Sequence, residues 1–268
     1  MKQAIHSIFR SFGFDIIRYR HDPKEEKVSK HTERLELYKT ATGDYFLPAD
    51  AKADDIALAI KDGRIFDAPI FAIAEKFIQS DTIALDVGSN FGQMAILMSK
   101  LVGARGAVHA FEADDFIFQI LEKNIQQNSA KVIAHYGAVH SNSTDTLYFP
   151  MQDFERFSTY GSYGIDYKHG KGRPVKTLTI DEIEFDKPVS FMKVDVQGGD
   201  LFAMQGAVKT IAQHRMPIIF EYEWLFEEEQ GLCFQDYVDF VRDVDYKFVR
   251  VIQGQNYLIL PAESQQYV

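Results

Sequence analysis

The sequence contains a single cysteine, Cys233, so an intrachain disulfide is excluded. Unpaired thiols are typical of a reducing compartment, and we expect the protein in the cytoplasm. No apolar run approaches the roughly 20 residues that a membrane-spanning helix requires. The N-terminus also lacks the continuous apolar stretch and the small-residue cleavage site of a signal peptide. These absences predict a soluble protein, and 46% hydrophobic residues are enough for a core.

An excess of positive charge is also missing, since the formal net charge is −10. Proteins that bind nucleic acid through its phosphates carry a basic face, so a nucleic-acid partner is disfavoured. Residues 1–20 are locally basic and place Ile5, Ile8, Phe9 and Phe12 at helical spacing. The simplest interpretation is a helix that docks on the rest of the protein. Weak association with an anionic membrane surface and contact with a partner are the alternatives.

The order of predicted elements divides the chain near residue 70. Residues 1–69 are predicted to be a helical, charged extension, in which 21–40 form a linker or an exposed helix, 44–48 a short strand and 54–60 a helix. Beyond it, strands and helices alternate, which predicts an α/β, Rossmann-like fold with a mainly parallel seven-stranded sheet. The five predicted core strands are 82–87, 107–111, 131–136, 189–194 and 218–222, and short β segments at 146–149 and 175–180 interrupt the alternation between the third and the fourth. The predicted helices are 70–79, 92–101, 116–128, 200–212 and 234–244, and a C-terminal antiparallel hairpin covers 247–252 and 257–260.

A glycine-containing turn follows the first predicted core strand, in the segment Asp86-Val87-Gly88-Ser89-Asn90-Phe91-Gly92. Doubly wound folds bind nucleotides at such a turn, and a glycine lets the ligand approach the backbone closely. The spacing differs from the Gly-x-Gly-x-x-Gly of dinucleotide sites, which disfavours a nucleotide-dependent oxidoreductase. The acidic residue beside these glycines, Asp86, would repel a diphosphate. It suits a ligand with cationic groups, such as the ammonium and sulfonium of S-adenosylmethionine.

Acidic residues end the next strands at the same predicted edge of the sheet. Glu112 ends the second core strand, where a carboxylate can accept hydrogen bonds from both ribose hydroxyls. Asp195 and Glu221 end the fourth and fifth, so both are candidates for a base, a metal ligand or a substrate anchor. His140, after the third core strand, is a further candidate base, although a solvated loop histidine is the simpler interpretation.

A long connection joins the third and fourth core strands and contains Tyr160, Ser162 and Tyr163. Loops of this length inside a compact domain often act as lids or binding loops. Tyrosine and serine side chains suit stacking and hydrogen bonding to a carbohydrate, so these residues are candidate substrate contacts. A surface loop without a ligand is the alternative. The acidic run Glu227–Glu229 is expected to be the solvated face of a helix.

Together these motifs resemble the FkbM-type methyltransferases, within the class I S-adenosylmethionine-dependent methyltransferases. The resemblance covers roughly residues 82–222 and is carried by Leu85–Gly92, Ala110–Ala113, Asn124, Gly137–Val139, Lys176–Asp181, Lys193–Asp200, Gly206-Ala207 and Ile218–Glu221. It implies an O-methyltransferase that acts on hydroxyls of sugars, glycans or natural products, with S-adenosylmethionine as cofactor. Residues 70–268 are then the methyltransferase domain. A requirement for a divalent metal stays open, although no ligand pattern in the sequence supports one. The oligomeric state also stays open.

The resemblance also implies roles for individual residues. Candidate cofactor-binding residues are Asp86, Gly88, Ser89, Asn90, Gly92, Glu112, Ala113 and Ala138. The candidate catalytic residues remain Asp195, Glu221 and His140, and Gln197 joins the candidate substrate contacts. Gln197 replaces the glutamate that is usual in the family, and an amide cannot serve as a base near neutral pH. A non-catalytic S-adenosylmethionine-binding partner of a biosynthetic complex is therefore the alternative hypothesis.

Overall fold

A computed structural model describes residues 34–150, 159–161, 164–167 and 170–265 of the chain. Its central sheet consists of β3 (Ile83–Val87), β4 (Ala107–Glu112), β5 (Val132–Tyr136), β9 (Val189–Val194), β10 (Ile218–Glu221), β11 (Tyr246–Ile252) and β12 (Asn256–Pro261). These seven strands follow the order β5-β4-β3-β9-β10-β12-β11. The first five run parallel, whereas β12 is antiparallel to both β10 and β11. The predicted Rossmann-like fold and its antiparallel C-terminal hairpin are confirmed.

Helices cover both faces of this sheet. They are α1 (Asp55–Lys61), α2 (Ala68–Phe77), α3 (Gln93–Val102), α4 (Asp115–Gln127), α5 (Asp200–Gln205), α6 (Val208–His214), α7 (Trp224–Gln230) and α8 (Phe234–Asp243). Successive strand residues point to opposite faces, so Ile218 packs in one buried cluster and Ile219 in the other. Because both faces of the sheet are buried, the central strands are continuous apolar runs. No helix in the described part of the chain is long and apolar enough to cross a membrane.

An antiparallel hairpin of β1 (Leu35–Lys39) and β2 (Asp44–Pro48) precedes the domain core. The prediction of a linker or helix over 21–40 is therefore wrong for residues 35–39. The Asn124 side chain in α4 accepts a hydrogen bond from Phe46 N at 2.6 Å and donates one to Phe46 O at 3.2 Å. This side chain therefore satisfies the backbone of β2 as a neighbouring strand would. The basic segment 1–20 lies outside the described residues, and the boundary at residue 70 stays a prediction.

A second, three-stranded sheet is formed by β6 (Ala138–Val139), β7 (Thr146–Phe149) and β8 (Arg173–Leu178). The helix predicted over 200–212 is in fact two helices, α5 and α6. A side chain at Gly206 would place its Cβ 2.0 Å from the His140 carbonyl oxygen. Just beyond, the Asp181 carboxylate accepts the N–H groups of Lys209 and Thr210 at 2.9 and 2.8 Å and so caps the start of α6.

The acidic run after Trp224 lies in α7, but it is not wholly solvated. Glu227 is fully buried and accepts a hydrogen bond from the Tyr237 hydroxyl of α8. The expectation of a solvated face is therefore wrong at Glu227. The reason is that α8 packs over this helix and supplies a hydrogen-bond donor for the carboxylate, which the sequence of α7 does not reveal.

Candidate functional site

A cavity of about 510 Å³ opens at the carboxyl ends of β3, β4, β9 and β10. The chain order reverses there, with β4 on one side of β3 and β9 on the other, which is the position where open α/β sheets bind ligands. Elements outside the central sheet, notably the start of α1 and the loop at 159–161, also contribute to its wall. The residues discussed below that line it are Asp54, Asp67, Gly88, Asn90, Glu112, Ala113, Asp114, Ala138, Phe149, Tyr160, Arg173, Asp195, Gln197, Glu221, Glu223 and Gln255.

The turn after β3 lies directly against the end of β9. Gly88 has φ +82°, and a Cβ on it would fall 1.8 Å from the Asp195 carbonyl oxygen. The Asp195 amide in turn donates to the Val87 carbonyl at 2.9 Å. Only glycine fits this crossing, because a side chain would clash with backbone that cannot move aside. The glycine thus leaves bare backbone on the cavity wall.

Glu112 is held rigidly where β4 enters the cavity. Its Oε2 accepts the Asn90 amide at 2.9 Å, and its Oε1 accepts the amides of Ala113 and Asp114 at 2.8 and 2.9 Å. Burial raises the pKa of Glu112 to about 7, against the opposing effect of these backbone donors. Oε1 already accepts two amides, whereas Oε2 accepts one and has a second lone pair, so the side chain can still accept a hydrogen bond from a ligand hydroxyl.

A cluster of acids and amides lies at the other end of the cavity. Gln197 donates from its Nε2 to Asp195 Oδ1 and to Glu221 Oε2, both at 3.3 Å. Gln255, from the turn between β11 and β12, donates to the second oxygen of Glu221. Asp195 is further paired with the buried ammonium of Lys193, 2.9 Å from its Oδ2. Gln197 adopts φ +53°, a left-handed conformation that brings its amide between the two acids.

The two acids bridged by Gln197 differ in protonation. Burial alone would raise the pKa of Asp195, but the neighbouring Lys193 ammonium holds that pKa below its ordinary value. Burial and the Asp195 charge raise the pKa of Glu221 well above its ordinary range. Near neutral pH the pair therefore carries one carboxylate and one carboxylic acid. Asp200 holds the ends of β9 and β10 together, since its carboxylate oxygens accept the amides of Val196 at 3.1 Å and of Glu221 at 3.0 Å.

The end of the cavity near Ala138 is more apolar. Ala138 and Phe149 belong to one small buried cluster, and Ala113 packs against it. Arg173 closes this end by pairing with Asp114 and Asp115 at the start of α4. The cavity thus has a polar end over β9 and β10 and an apolar end beside β6.

Several residues proposed from the sequence meet at this cavity. They are Gly88, Asn90, Glu112, Ala113, Ala138, Tyr160, Asp195, Gln197 and Glu221. Tyr160 is buried, and its hydroxyl donates to Asp50 at 2.6 Å, so its ring serves first to anchor the loop. Its contact with a substrate stays a prediction, as do the ligand roles of the other residues. Ser162 and Tyr163 lie outside the described residues.

Four other candidates do not line the cavity. Asp86 is fully buried, with neither carboxylate oxygen hydrogen-bonded among the described residues, and burial raises its pKa to about 6. Ser89 donates to the Asp86 carbonyl at 2.7 Å, and a Cβ at Gly92 would meet Leu121 at 2.6 Å. His140 packs on Phe202 with ring centroids 4.8 Å apart. The geometry supports these four as parts of the framework, and their ligand roles stay predictions.

The cavity is also lined by residues that were not predicted from the sequence, above all Glu223, Gln255 and Asp67. Glu223 follows β10 by two residues, so the alternation in Glu221-Tyr222-Glu223 was the available signal. Gln255 comes from the far strand pair, and its position depends on the antiparallel insertion of β12 beside β10. In the part of the chain that the structure describes, no group of three or more histidine, cysteine, aspartate or glutamate residues could hold a metal ion.

The methyltransferase FkbM domain model matches residues 86–248, more than half of the chain. The chain belongs to the FkbM methyltransferase domain family. It carries an S-adenosylmethionine-dependent methyltransferase domain, and S-adenosylmethionine is the cofactor. The comparison with curated protein sequences returns no match.

Solved structures similar to this FkbM family member include the FkbM methyltransferase of Methylobacillus flagellatus, with 16% identity and a TM-score of 0.47. The match covers 68% of this chain and only 44% of that protein. An S-adenosylmethionine-dependent O-methyltransferase of Thermotoga maritima is 14% identical over 84% of this chain and 76% of its own, with a TM-score of 0.42. Fibrillarin of Aeropyrum pernix, solved with S-adenosylmethionine, is 13% identical over 86% and 83%, with a TM-score of 0.39.

The residues of this FkbM methyltransferase fit its cofactor. Gly88 contributes bare backbone to the cavity wall, and the Glu112 carboxylate, fixed by backbone amides, could accept a hydrogen bond from a ribose hydroxyl. The apolar surface near Ala138 suits the adenine ring. Asp195, kept ionised by Lys193, supplies negative charge on the side where a sulfonium would be stabilised.

Proposed function

We propose that this protein methylates a hydroxyl oxygen on a sugar, a glycan or a hydroxylated natural product. The observation that carries this proposal is the polar end of the cavity, where Asp195, Gln197, Glu221 and Gln255 form one hydrogen-bonded cluster. Hydroxyl groups donate and accept hydrogen bonds, so a polyhydroxylated acceptor can satisfy both carboxyl and amide groups.

The charge state of this cluster supports a neutral acceptor. Lys193 offsets the charge of Asp195, and the raised pKa of Glu221 keeps that acid protonated near neutral pH. The polar end is therefore less negative than its number of acids suggests. A cationic amine gains less from such a site than from a set of free carboxylates. The overall charge of −10 likewise supports a small-molecule or glycan acceptor over a nucleic acid.

Each residue then has a defined task. Bound S-adenosylmethionine supplies an electrophilic methyl group. Gly88, Asn90 and Glu112 hold the nucleoside end of that cofactor, and Asp195, fixed by Lys193, orients the acceptor hydroxyl. Fixed orientation of two reacting groups lowers a barrier by roughly 7–11 kcal/mol in favourable intramolecular cases.

The test is a methyl-transfer assay with S-adenosylmethionine carrying a labelled methyl group. The acceptor panel pairs methyl glycosides and hydroxylated natural products with amines of similar size, and mass spectrometry and NMR locate the new methyl group. We expect label on oxygen, and only with hydroxylated acceptors. Transfer to nitrogen acceptors alone would overturn the proposal.

A further inference from the structure

The acids that line the cavity differ in how many of their oxygens are already engaged. Glu112 accepts three backbone amides, and Asp195 is paired with Lys193 and Gln197. Both oxygens of Glu221 accept side-chain amides. Glu223 is different, because its Oε2 is buried and has no hydrogen-bond partner among the described residues.

Glu223 is positioned by the turn that follows β10. Its carbonyl accepts the amides of Phe226 at 3.0 Å and Glu227 at 3.2 Å, which starts α7 and fixes the backbone. The residue is partly buried and lines the cavity beside the acid and amide cluster. A carboxylate with one oxygen buried and without a donor is poorly stabilised as an anion, so it takes up the proton of a hydroxyl group in the cavity more readily.

We propose that Glu223 is the general base that removes the proton from the acceptor hydroxyl. This assignment rests on the proposed transfer to oxygen. The acceptor oxygen bonds to the methyl carbon as the carbon–sulfur bond breaks, and that bond's electron pair stays on sulfur. The hydroxyl proton passes to the carboxylate of Glu223, which returns it to solvent because the residue is only partly buried.

The surroundings of Glu223 suit a base at neutral pH. Burial, then the charges of Asp195 and Glu227, raise the pKa of Glu223 to about 7. Glu221 also faces this group, and the charge of Glu223 contributes to the raised pKa of Glu221. Asp195 is a weaker base, because Lys193 holds its pKa low. A base works best when its pKa lies near the working pH, which favours Glu223 over Asp195.

The experiment compares wild type with E223Q, E223D and the control E122Q, whose glutamate is exposed on α4. Single-turnover transfer to a hydroxyl acceptor from the panel is measured from pH 5.5 to 9, and S-adenosylmethionine affinity by calorimetry. We expect E223Q to bind the cofactor normally and to lose roughly 10²–10⁴-fold in rate. E223D should recover part of that loss, and E122Q should match wild type. The wild-type rate should rise with pH to a plateau, with the midpoint of the rise near pH 7, and this rise should be absent in E223Q.

A second readout does not depend on turnover. In protein with ¹³C-labelled glutamate carboxyl groups, the resonance that is missing from E223Q should titrate near pH 7 in wild type. Normal cofactor binding together with an undiminished rate in E223Q would overturn the assignment and leave O-methyl transfer standing. If wild type methylates nitrogen acceptors and no hydroxyl acceptor, the proposed function and this assignment are overturned together.

Discussion

At the scale of single residues, Glu112 shows how a side chain is prepared for a ligand before the ligand arrives. Three backbone amides fix its carboxylate, so binding a ribose costs little side-chain entropy. We expect Glu112→Ala to weaken S-adenosylmethionine binding at least about tenfold, which corresponds to about 1.4 kcal/mol. Titration calorimetry at pH 7.5 measures this.

The matched control for Glu112→Ala is Glu122→Ala, which removes an exposed glutamate from α4. Its affinity for S-adenosylmethionine should equal that of wild type. Equal affinity in Glu112→Ala, with the protein folded, would mean that the cofactor's ribose binds elsewhere.

Gln197 stands where the family resemblance predicts a glutamate, and its amide donates to two acids at once. Gln197→Glu replaces this donor by a third carboxyl group, and we expect burial and the neighbouring Asp195 charge to raise its folded pKa. An acid with a raised folded pKa binds its proton more tightly in the folded state, so its stabilising effect is lost as pH rises. We therefore expect the free energy of unfolding of Gln197→Glu to fall below that of wild type between pH 5 and pH 8.

Urea unfolding of both proteins at several pH values checks this expectation for Gln197→Glu. The variant should be close to wild type at pH 5, where the new acid is protonated. A difference that is the same at pH 5 and pH 8 would show that the loss of the amide, and not the added charge, is responsible.

At the scale of elements, Asp54 joins α1 to the loop over the cavity. Its Oδ1 accepts Ala57 N at 2.8 Å and caps the helix, while its Oδ2 accepts the amides of Tyr160 at 2.6 Å and Gly161 at 3.1 Å. Asp54→Ala removes the cap, worth about 0.5–2 kcal/mol, and leaves two backbone donors unsatisfied, at about 1–3 kcal/mol each if they stay buried. We expect lower stability in urea unfolding and weaker S-adenosylmethionine binding, because residues 159–161 line the cavity.

The control for Asp54→Ala is Asp62→Ala at the exposed C-terminal end of the same helix, where only a surface pair with Arg64 is lost. Such pairs contribute about 0–1 kcal/mol. Equal stability of the two variants would contradict the role of Asp54 in holding the loop.

The elements also show where sequence patterns suffice. The strand predicted at 107–111 is found at Ala107–Glu112, because a buried parallel strand is an apolar run between turn residues. The strand at 35–39 was missed because a two-stranded ribbon buries only part of each residue, so its charged positions hide the alternation. The break in the helix predicted at 200–212 depends on Asp181, a cap supplied from a distant turn.

At the scale of the molecule, the same distinction applies to the site. Asp195 and Glu221 were predictable, since parallel topology brings the carboxyl ends of β9 and β10 together. Gln255 was not, because its place depends on the strand pairing of the C-terminal hairpin. Glu223 carried a weak signal in its spacing from Glu221, but the direction of the chain after β10 decides whether it faces the cavity.

The folded protein buries several acidic side chains, and their raised pKa values determine how its stability depends on pH. Burial raises the pKa of Glu112, Glu223 and Glu227 to about 7, and raises that of Glu221 further. The folded state thus holds protons that the unfolded chain has already released, so stability is present at low pH and is lost as pH rises toward these values. Buried histidines act in the opposite direction. Burial lowers the pKa of His109 to about 4, so its effect is confined to pH below its ordinary value of 6.5.

The window between pH 6.5 and 8 therefore isolates the acids. We expect the free energy of unfolding of the ligand-free protein to fall across it, by up to about 1.4 kcal/mol per pH unit for each acid still protonated. Saturating S-adenosylmethionine should flatten the fall, because a bound cation stabilises the ionised carboxylates beside it. Urea unfolding at half-unit steps of pH, with and without the cofactor, measures both effects.

The variant Glu227→Gln should reduce the slope of unfolding free energy against pH. The control Glu263→Gln should not, since pairing with Arg215 lowers the pKa of Glu263 to about 2. Stability that rises with pH across this window would show that these acids are ionised in the folded protein, and the protonated state of Glu221 would then have to be abandoned.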